Sequence, residues 1–161
     1  MPDAIAEMFG TAVVLPGAVN PHAQLSGWKR YTLLDRGSYE YIEDPQIFGR
    51  EIVELAERAT KRAGLTIRSA RALRLLAGDY LLAHHDTLHV DNPVEVTLDL
   101  SPAAAAAEVQ YRRRGQIFLR VPCVPGTAAV VERGPTISCN HAYLSKRYPD
   151  AEVIRLVALL R

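Results

Sequence analysis

An amphipathic stretch in the first half of the chain predicts a helix. Between residues 45 and 63, apolar side chains recur at spacings of three to five, and most of the charged side chains face elsewhere. Gly64 follows directly and is a typical helix stop. We therefore expect one amphipathic helix over residues 45–63.

After Gly64 the pattern changes to short apolar runs separated by turn residues, which is typical of β-strands. The runs are residues 72–86, 94–100, 108–114, 116–121, 127–132, 136–141 and 152–161. Seven or eight strands at this spacing indicate a sandwich or a jelly roll. The alanine run at residues 103–107 is too short to sustain a helix, so we expect a loop there that crosses an edge of the sheet.

The segment before the helix, residues 21–45, is rich in turn formers and aromatic residues and has alternating stretches that predict short strands. The expected fold class is mainly β (α+β): a double-stranded β-helix, or jelly roll, with an N-terminal supporting helix. At this length a single domain is expected over residues 1–161. Its supporting strands and helix would occupy residues 1–65, and the barrel core residues 66–161.

Composition and charge narrow the classes of function. A net charge of +1 gives no general attraction to nucleic acid or to acidic membranes, so nucleic acid is an unlikely partner. The chain shows no long apolar run and no basic start, which predicts a protein that does not span a membrane. Cys123 and Cys139 stand far apart, which argues against a disulfide scaffold or a thiolate zinc site and suits a cytoplasmic location.

A His-x-Asp pair marks the candidate site. Successive side chains of a strand point to opposite faces, so His84 and Asp86 would project to the same side. His141, at the end of a later predicted strand, would add a second imidazole. Two histidines and one carboxylate suit iron(II) and leave coordination positions open for substrate and oxygen, whereas closed structural zinc sites leave none. We therefore predict that His84, Asp86 and His141 bind a metal.

A buried charge is the second candidate feature. Residues 153–160 are apolar on both faces, as in a buried central strand, but they include Arg155. A buried guanidinium needs an anion, which would be either a core Asp or Glu or the carboxylate of a ligand. Because perturbed charges concentrate at functional sites, the nearby His-Asp-His set favours a ligand carboxylate.

Residues 72–161 resemble the iron(II)- and 2-oxoglutarate-dependent oxygenases, especially their prolyl-hydroxylase-like branch. The resemblance is carried by the strand of residues 73–80 that runs into His84-His85-Asp86, by residues 94–100, by Pro125-Gly126 and the apolar run after it, by His141 and by Arg155. The order of these motifs is similar to that of the family.

The resemblance implies a role for each of these residues. His84, Asp86 and His141 would hold Fe(II), and Arg155 would bind the far carboxylate of 2-oxoglutarate. Tyr80 would add a hydrogen bond to that carboxylate, and Arg147 is the alternative basic residue. The implied enzyme is a 2-oxoglutarate-dependent dioxygenase that uses O2, a hydroxylase for an amino-acid-like, peptidyl or small natural-product substrate.

Two other functions stay open at this point. A cupin-like metalloprotein of the same broad architecture would bind iron, manganese or zinc without 2-oxoglutarate, and Arg155 would then serve only in a core ion pair. A binding module without catalysis would use the basic helix or the aromatic N-terminal strands instead, and it would keep its function after loss of His84 or Asp86. The sequence does not indicate an oligomeric state.

Overall fold

The computed structural model describes residues 10–84, 91–134 and 136–161, with the side chain of His84 outside this description. Strands dominate this part of the chain. Around helix α1 (Gly49–Thr60), the strands are β1 (Ala12–Leu15), β2 (Lys29–Leu33), β3 (Gly37–Glu43), β4 (Ile67–Leu76), β5 (Tyr80–His84), β6 (Val94–Asp99), β7 (Ala105–Arg113), β8 (Gln116–Cys123), β9 (Ala128–Glu132), β10 (Ile137–His141) and β11 (Glu152–Leu160).

The strands form one antiparallel sheet that curls into a barrel. Its order is β1-β9-β6-β11-β4-β3-β5-β10-β7-β8, and β2 pairs with β3 beside this path. From β4 onward the chain alternates between two halves, β9-β6-β11-β4 and β5-β10-β7-β8, at every step except the β7–β8 hairpin, which stays within one half. This alternation is the double-stranded β-helix that the strand pattern and the family resemblance predict, and the predicted fold class is confirmed.

Strand β11 is central, and both of its faces are covered. One face packs with helix α1 in a core that contains Leu156, Ala158 and Leu160 together with Ile52 and Ala56. The opposite face, with Val153 and Val157, turns to the barrel interior. Burial on both sides explains why the sequence of β11 is apolar without alternation.

Strand β6 shows the same division but has polar residues on its inner face. Val94, Val96 and Leu98 join the core against α1. The alternate residues Glu95, Thr97 and Asp99, which we call the inner polar row, are each only 3% exposed. Burying a polar group costs free energy unless the group is paired. A polar row inside the barrel therefore indicates that the interior has a role besides packing.

Three local predictions differ from the structure. Helix α1 begins at Gly49 and not at residue 45, because Asp44 and Phe48 have φ angles of 47° and 57°, and it stops before Lys61 at φ 58°. Residues 105–107 are not a loop but the start of β7, because Ala105 pairs with Cys123 of β8. Strand β1 was not predicted; its partner β9 is distant in the sequence. Among the described residues, no helix is both long and apolar enough to cross a membrane.

Gly126 holds a close contact between two segments, which gives a testable prediction. Its φ is 85°, and an added Cβ would lie 2.7 Å from the carbonyl oxygen of Val19. Gly115 has a similar φ of 76°, but no described atom lies within 4 Å of its Cβ position. Both Ala variants carry the left-handed backbone penalty, so Gly126→Ala should lower the free energy of unfolding by about 1–3 kcal/mol more than Gly115→Ala. Urea unfolding of the two variants measures the difference, and equal losses would contradict the contact.

Candidate functional site

A cavity of about 640 Å³ lies inside the barrel. Side chains from β2 to β6 and from β10 and β11 line it. Cys139, His141 and Glu95 contribute to its wall, and so do the rings of Tyr31, Tyr39 and Tyr41. The volume is in the range of small-molecule sites, which are typically about 300–1,000 Å³. The cavity is therefore the candidate active site.

His141 is the candidate metal ligand whose side chain the structure describes. It ends β10, is 4% exposed and lies in the cavity wall. On the neighbouring strand β5, the backbone of His84 pairs with Cys139, and Leu81 pairs with His141. A bulge separates the two pairs, since β5 has three residue steps where β10 has two. The backbones that carry the two histidines are thus adjacent, while Asp86 lies outside the described residues.

Arg155 is fixed by contacts within the protein. One terminal nitrogen lies 3.0 Å from Nδ1 of His141, and the other donates to the carbonyl oxygen of Ala107. Ala107 lies where the β7–β8 register shifts, in a bulge between Ala105 and Val109. The guanidinium is 1% exposed and is not part of the cavity wall. Arg155 therefore lies behind the cavity wall and not in it.

The anion beside Arg155 is a core aspartate. Asp99 is its partner residue across β6 and β11. Burial lowers the pKa of Arg155, while Cys123 and Asp99 oppose that shift. Oδ1 of Asp99 accepts a hydrogen bond from the backbone of Ser101 at 2.9 Å, and Oδ2 has no hydrogen-bond partner among the described residues. Asp99 thus acts on the charge of Arg155, but no ion pair or hydrogen bond joins these two described side chains.

The contact with Arg155 also fixes the proton on His141. A guanidinium can only donate, so Nδ1 of His141 accepts and the proton of a neutral ring stays on Nε2. Metal-bound histidines usually show the reverse arrangement, in which the second nitrogen donates to an acceptor. Nε2 is the nitrogen that Arg155 does not engage, and it is the atom that a metal in this cavity would take.

Tyr80 and Arg147 lie away from this cluster. The hydroxyl of Tyr80 donates to the carbonyl oxygen of Leu34 at 2.9 Å, in the exposed turn after β2. Arg147 is exposed in the segment between β10 and β11, where its backbone NH bonds to Ser145. Among the described contacts, neither side chain reaches His141, and the hydroxyl of Tyr80 has a carbonyl partner in this structure.

A second buried polar cluster, which the sequence did not predict, borders the cavity. Glu95 accepts from Arg133 at 2.8 Å and from the Tyr111 hydroxyl at 2.5 Å. Burial, followed by the charge of Glu95, raises the pKa of Tyr111 well above its usual range, so this hydroxyl stays protonated and donates. The alternation of polar Glu95 and Thr97 with valines was the signal that could have indicated it. The cluster places one carboxylate in the cavity wall beside Cys139.

Both cysteines are free and buried, which predicts inert thiols. Burial raises the pKa of Cys139 far above its usual range, with the charge of Glu95 adding to the effect, and burial also raises the pKa of Cys123. Because the thiolate is the reactive form, neither thiol should react with Ellman's reagent at pH 8 in the folded protein. Both should react once urea unfolds it. Rapid reaction of either thiol before unfolding would contradict the buried placement.

Comparisons with known proteins agree on the architecture. No family model matches the sequence, and no curated protein matches it significantly. Among solved structures, an oxidoreductase of the 2OG-Fe(II) oxygenase family from Burkholderia pseudomallei has a TM-score of 0.70 at 16% identity, over 98% of this chain and 88% of that one.

Two further neighbours belong to the same group of enzymes. The epimerase SnoN, in complex with Fe3+, alpha ketoglutarate and nogalamycin RO, has a TM-score of 0.66 at 13% identity, over 99% of this chain and 84% of SnoN. A Pseudomonas putida prolyl-4-hydroxylase has a TM-score of 0.55 at 12% identity, over 79% of this chain and 73% of that one. At these identities the similarity concerns the fold. The predicted resemblance is thereby confirmed at that level: this chain has the double-stranded β-helix fold of the 2-oxoglutarate-dependent iron(II) oxygenases.

Proposed function

We propose that this protein is an Fe(II)- and 2-oxoglutarate-dependent dioxygenase whose metal is held by His84, Asp86 and Nε2 of His141. The observation that carries the proposal is the buried His141 in the cavity wall, on the strand next to the one that contains His84. Its fold is that of neighbours with this activity. Two imidazoles and a carboxylate are the donor set that suits iron(II) with open coordination positions.

Bound iron would supply the oxidising chemistry, with O2 and 2-oxoglutarate as co-substrates, and the protein would supply geometry and a site closed to water. Before a metal binds, the contact of Arg155 with Nδ1 would hold the ring of His141 in place. The substrate would be an amino-acid-like, peptidyl or small natural-product molecule in the cavity, and hydroxylation is the expected outcome. The buried thiols suit the reducing cytoplasm, which we propose as the location.

The position of the ring proton on His141 would connect its contact with Arg155 at Nδ1 to the binding of a metal at Nε2. If Nε2 held a metal, a neutral ring would carry its proton on Nδ1, which would then no longer accept from Arg155. Arg155 would lose one acceptor, and as a buried donor it would need another. The far carboxylate of 2-oxoglutarate is a suitable acceptor, so the role that the resemblance implies for Arg155 requires the guanidinium to leave Nδ1 first.

Turnover of the co-substrate tests the proposal. Protein supplied with iron(II), ascorbate, oxygen and 2-oxoglutarate should form succinate slowly even without a substrate, and the His84→Ala variant should not. Arg155→Lys and Arg147→Gln should then be compared for the co-substrate concentration that gives half-maximal succinate formation. Replacing the residue that binds the carboxylate should raise this concentration. Absence of succinate from a folded wild-type protein that binds iron would contradict the proposed reaction.

A further inference from the structure

One wall of the cavity is a row of tyrosine rings from the β2–β3 hairpin. Tyr31 and Tyr39 are partner residues, and their ring centroids lie 5.0 Å apart at an interplanar angle of 31°. Tyr39 and Tyr41 share one face of β3, with centroids 6.4 Å apart and rings at 65°. All three line the cavity, and Tyr31 and Tyr41 are only partly buried. Their packing therefore leaves aromatic surface for a ligand.

Aliphatic side chains form another part of the wall, beside polar and charged residues. Leu73 of β4, Leu81 of β5, and Val157 and Leu159 of β11 line the same cavity. A space with aromatic rings on one side and branched aliphatic side chains on another favours a flat apolar molecule, because both faces of such a molecule lose contact with water. The volume of about 640 Å³ limits that molecule to a small ligand.

A cationic group stands next to the tyrosine row. The guanidinium of Arg71 lies 5.4 Å from the centroid of the Tyr41 ring, and Arg71 also lines the cavity. It pairs with Glu43 at 3.0 Å, but the two side chains are 44% and 54% exposed. An ion pair this exposed contributes only about 0–1 kcal/mol, so an anionic group of a ligand can replace Glu43 as the partner of Arg71.

We propose that the cavity binds a small planar aromatic molecule with a carboxylate, its ring against the tyrosine row and its carboxylate at Arg71. This inference rests on the proposed function only in naming the substrate class of the same cavity. Binding of the aromatic acid needs no metal. An experiment can therefore contradict this inference without contradicting the proposed function, and the reverse. The tyrosines then select for ring shape, and Arg71 selects for the acidic group.

The test compares three probes on the full-length wild-type protein without added metal. They are 2-naphthoate, the saturated decalin-2-carboxylate and the uncharged naphthalene-2-carboxamide, each titrated by isothermal calorimetry. The aromatic acid should bind roughly five- to tenfold more tightly than either analogue, the range that one stacking or cation–anion contact supplies. Equal affinities for the three probes, or no binding of 2-naphthoate, would overturn the proposal whether or not the protein binds iron.

Two variants locate the binding in the cavity. Tyr41→Leu should reduce the preference for 2-naphthoate over its saturated analogue, and Arg71→Gln should reduce the preference over the carboxamide. Arg68→Gln is the matched control, because Arg68 lies on the same strand as Arg71 but is exposed and outside the cavity wall. If a variant does not fold, the comparison of the three probes on the wild-type protein still tests the proposal. An Arg68→Gln effect equal to that of Arg71→Gln would contradict the assigned position.

Discussion

Replacement of Arg155 by methionine should lower the free energy of unfolding by about 1–3 kcal/mol, because it leaves Nδ1 of His141 and the buried carbonyl oxygen of Ala107 without their donor. It also removes a positive charge that interacts with the buried carboxylate of Asp99. Urea unfolding followed by circular dichroism gives the value. Arg147→Met is the matched control, since Arg147 is exposed and its loss should change stability by less than about 0.5 kcal/mol.

A double variant separates charge from packing. Adding Asp99→Asn to Arg155→Met removes the uncompensated charge, so the double variant should be more stable than Arg155→Met alone. If Arg155→Met is no more destabilising than Arg147→Met, the buried contacts assigned to Arg155 are wrong. If the double variant is less stable than Arg155→Met alone, the uncompensated charge of Asp99 is not the main cause of the lost stability.

Loss of a metal ligand should have the largest effect on the site. His84→Ala, Asp86→Ala and His141→Ala should each weaken iron(II) binding by more than about 100-fold, since loss of outer partners of a metal site alone typically costs 10–100-fold. Competition with a chromophoric chelator under anaerobic conditions measures the affinity. His22→Ala is the control, because His22 is exposed outside the barrel. Iron affinity that is unchanged in all three variants would exclude these residues as ligands.

The sequence predicts much of the barrel, because the buried positions of its strands are filled by hydrophobic residues in a recognisable pattern. Strand β11 reads as a central strand since both of its faces are covered, and β6 and β9 follow from the same runs of valine and leucine. Strand β1 and the start of β7 were missed. Their short, alanine- or valine-containing segments become strands only through partners far away in the chain, and local propensity does not report those partners.

The candidate site shows a similar limit. The sequence singled out His141 and Arg155, and the structure places them 3.0 Å apart. It did not indicate that Asp99 would act on the charge of Arg155, because that depends on the β6–β11 register that puts the two residues opposite each other. Nor did it indicate that a bulge in β7 turns the carbonyl of Ala107 toward the guanidinium. Such contacts follow from register and bulges, which hydrophobic periodicity alone does not fix.

The most direct test of the central claim is a titration of the metal-free protein, without oxygen, first with iron(II) and then with 2-oxoglutarate. Chelation of iron by the 2-oxo acid produces a weak visible charge-transfer band. We expect this band in the wild type and its absence in His141→Ala at the same concentrations. Iron binding without the band would leave a metal site that does not use 2-oxoglutarate, and a wild-type protein that binds no iron would contradict the account.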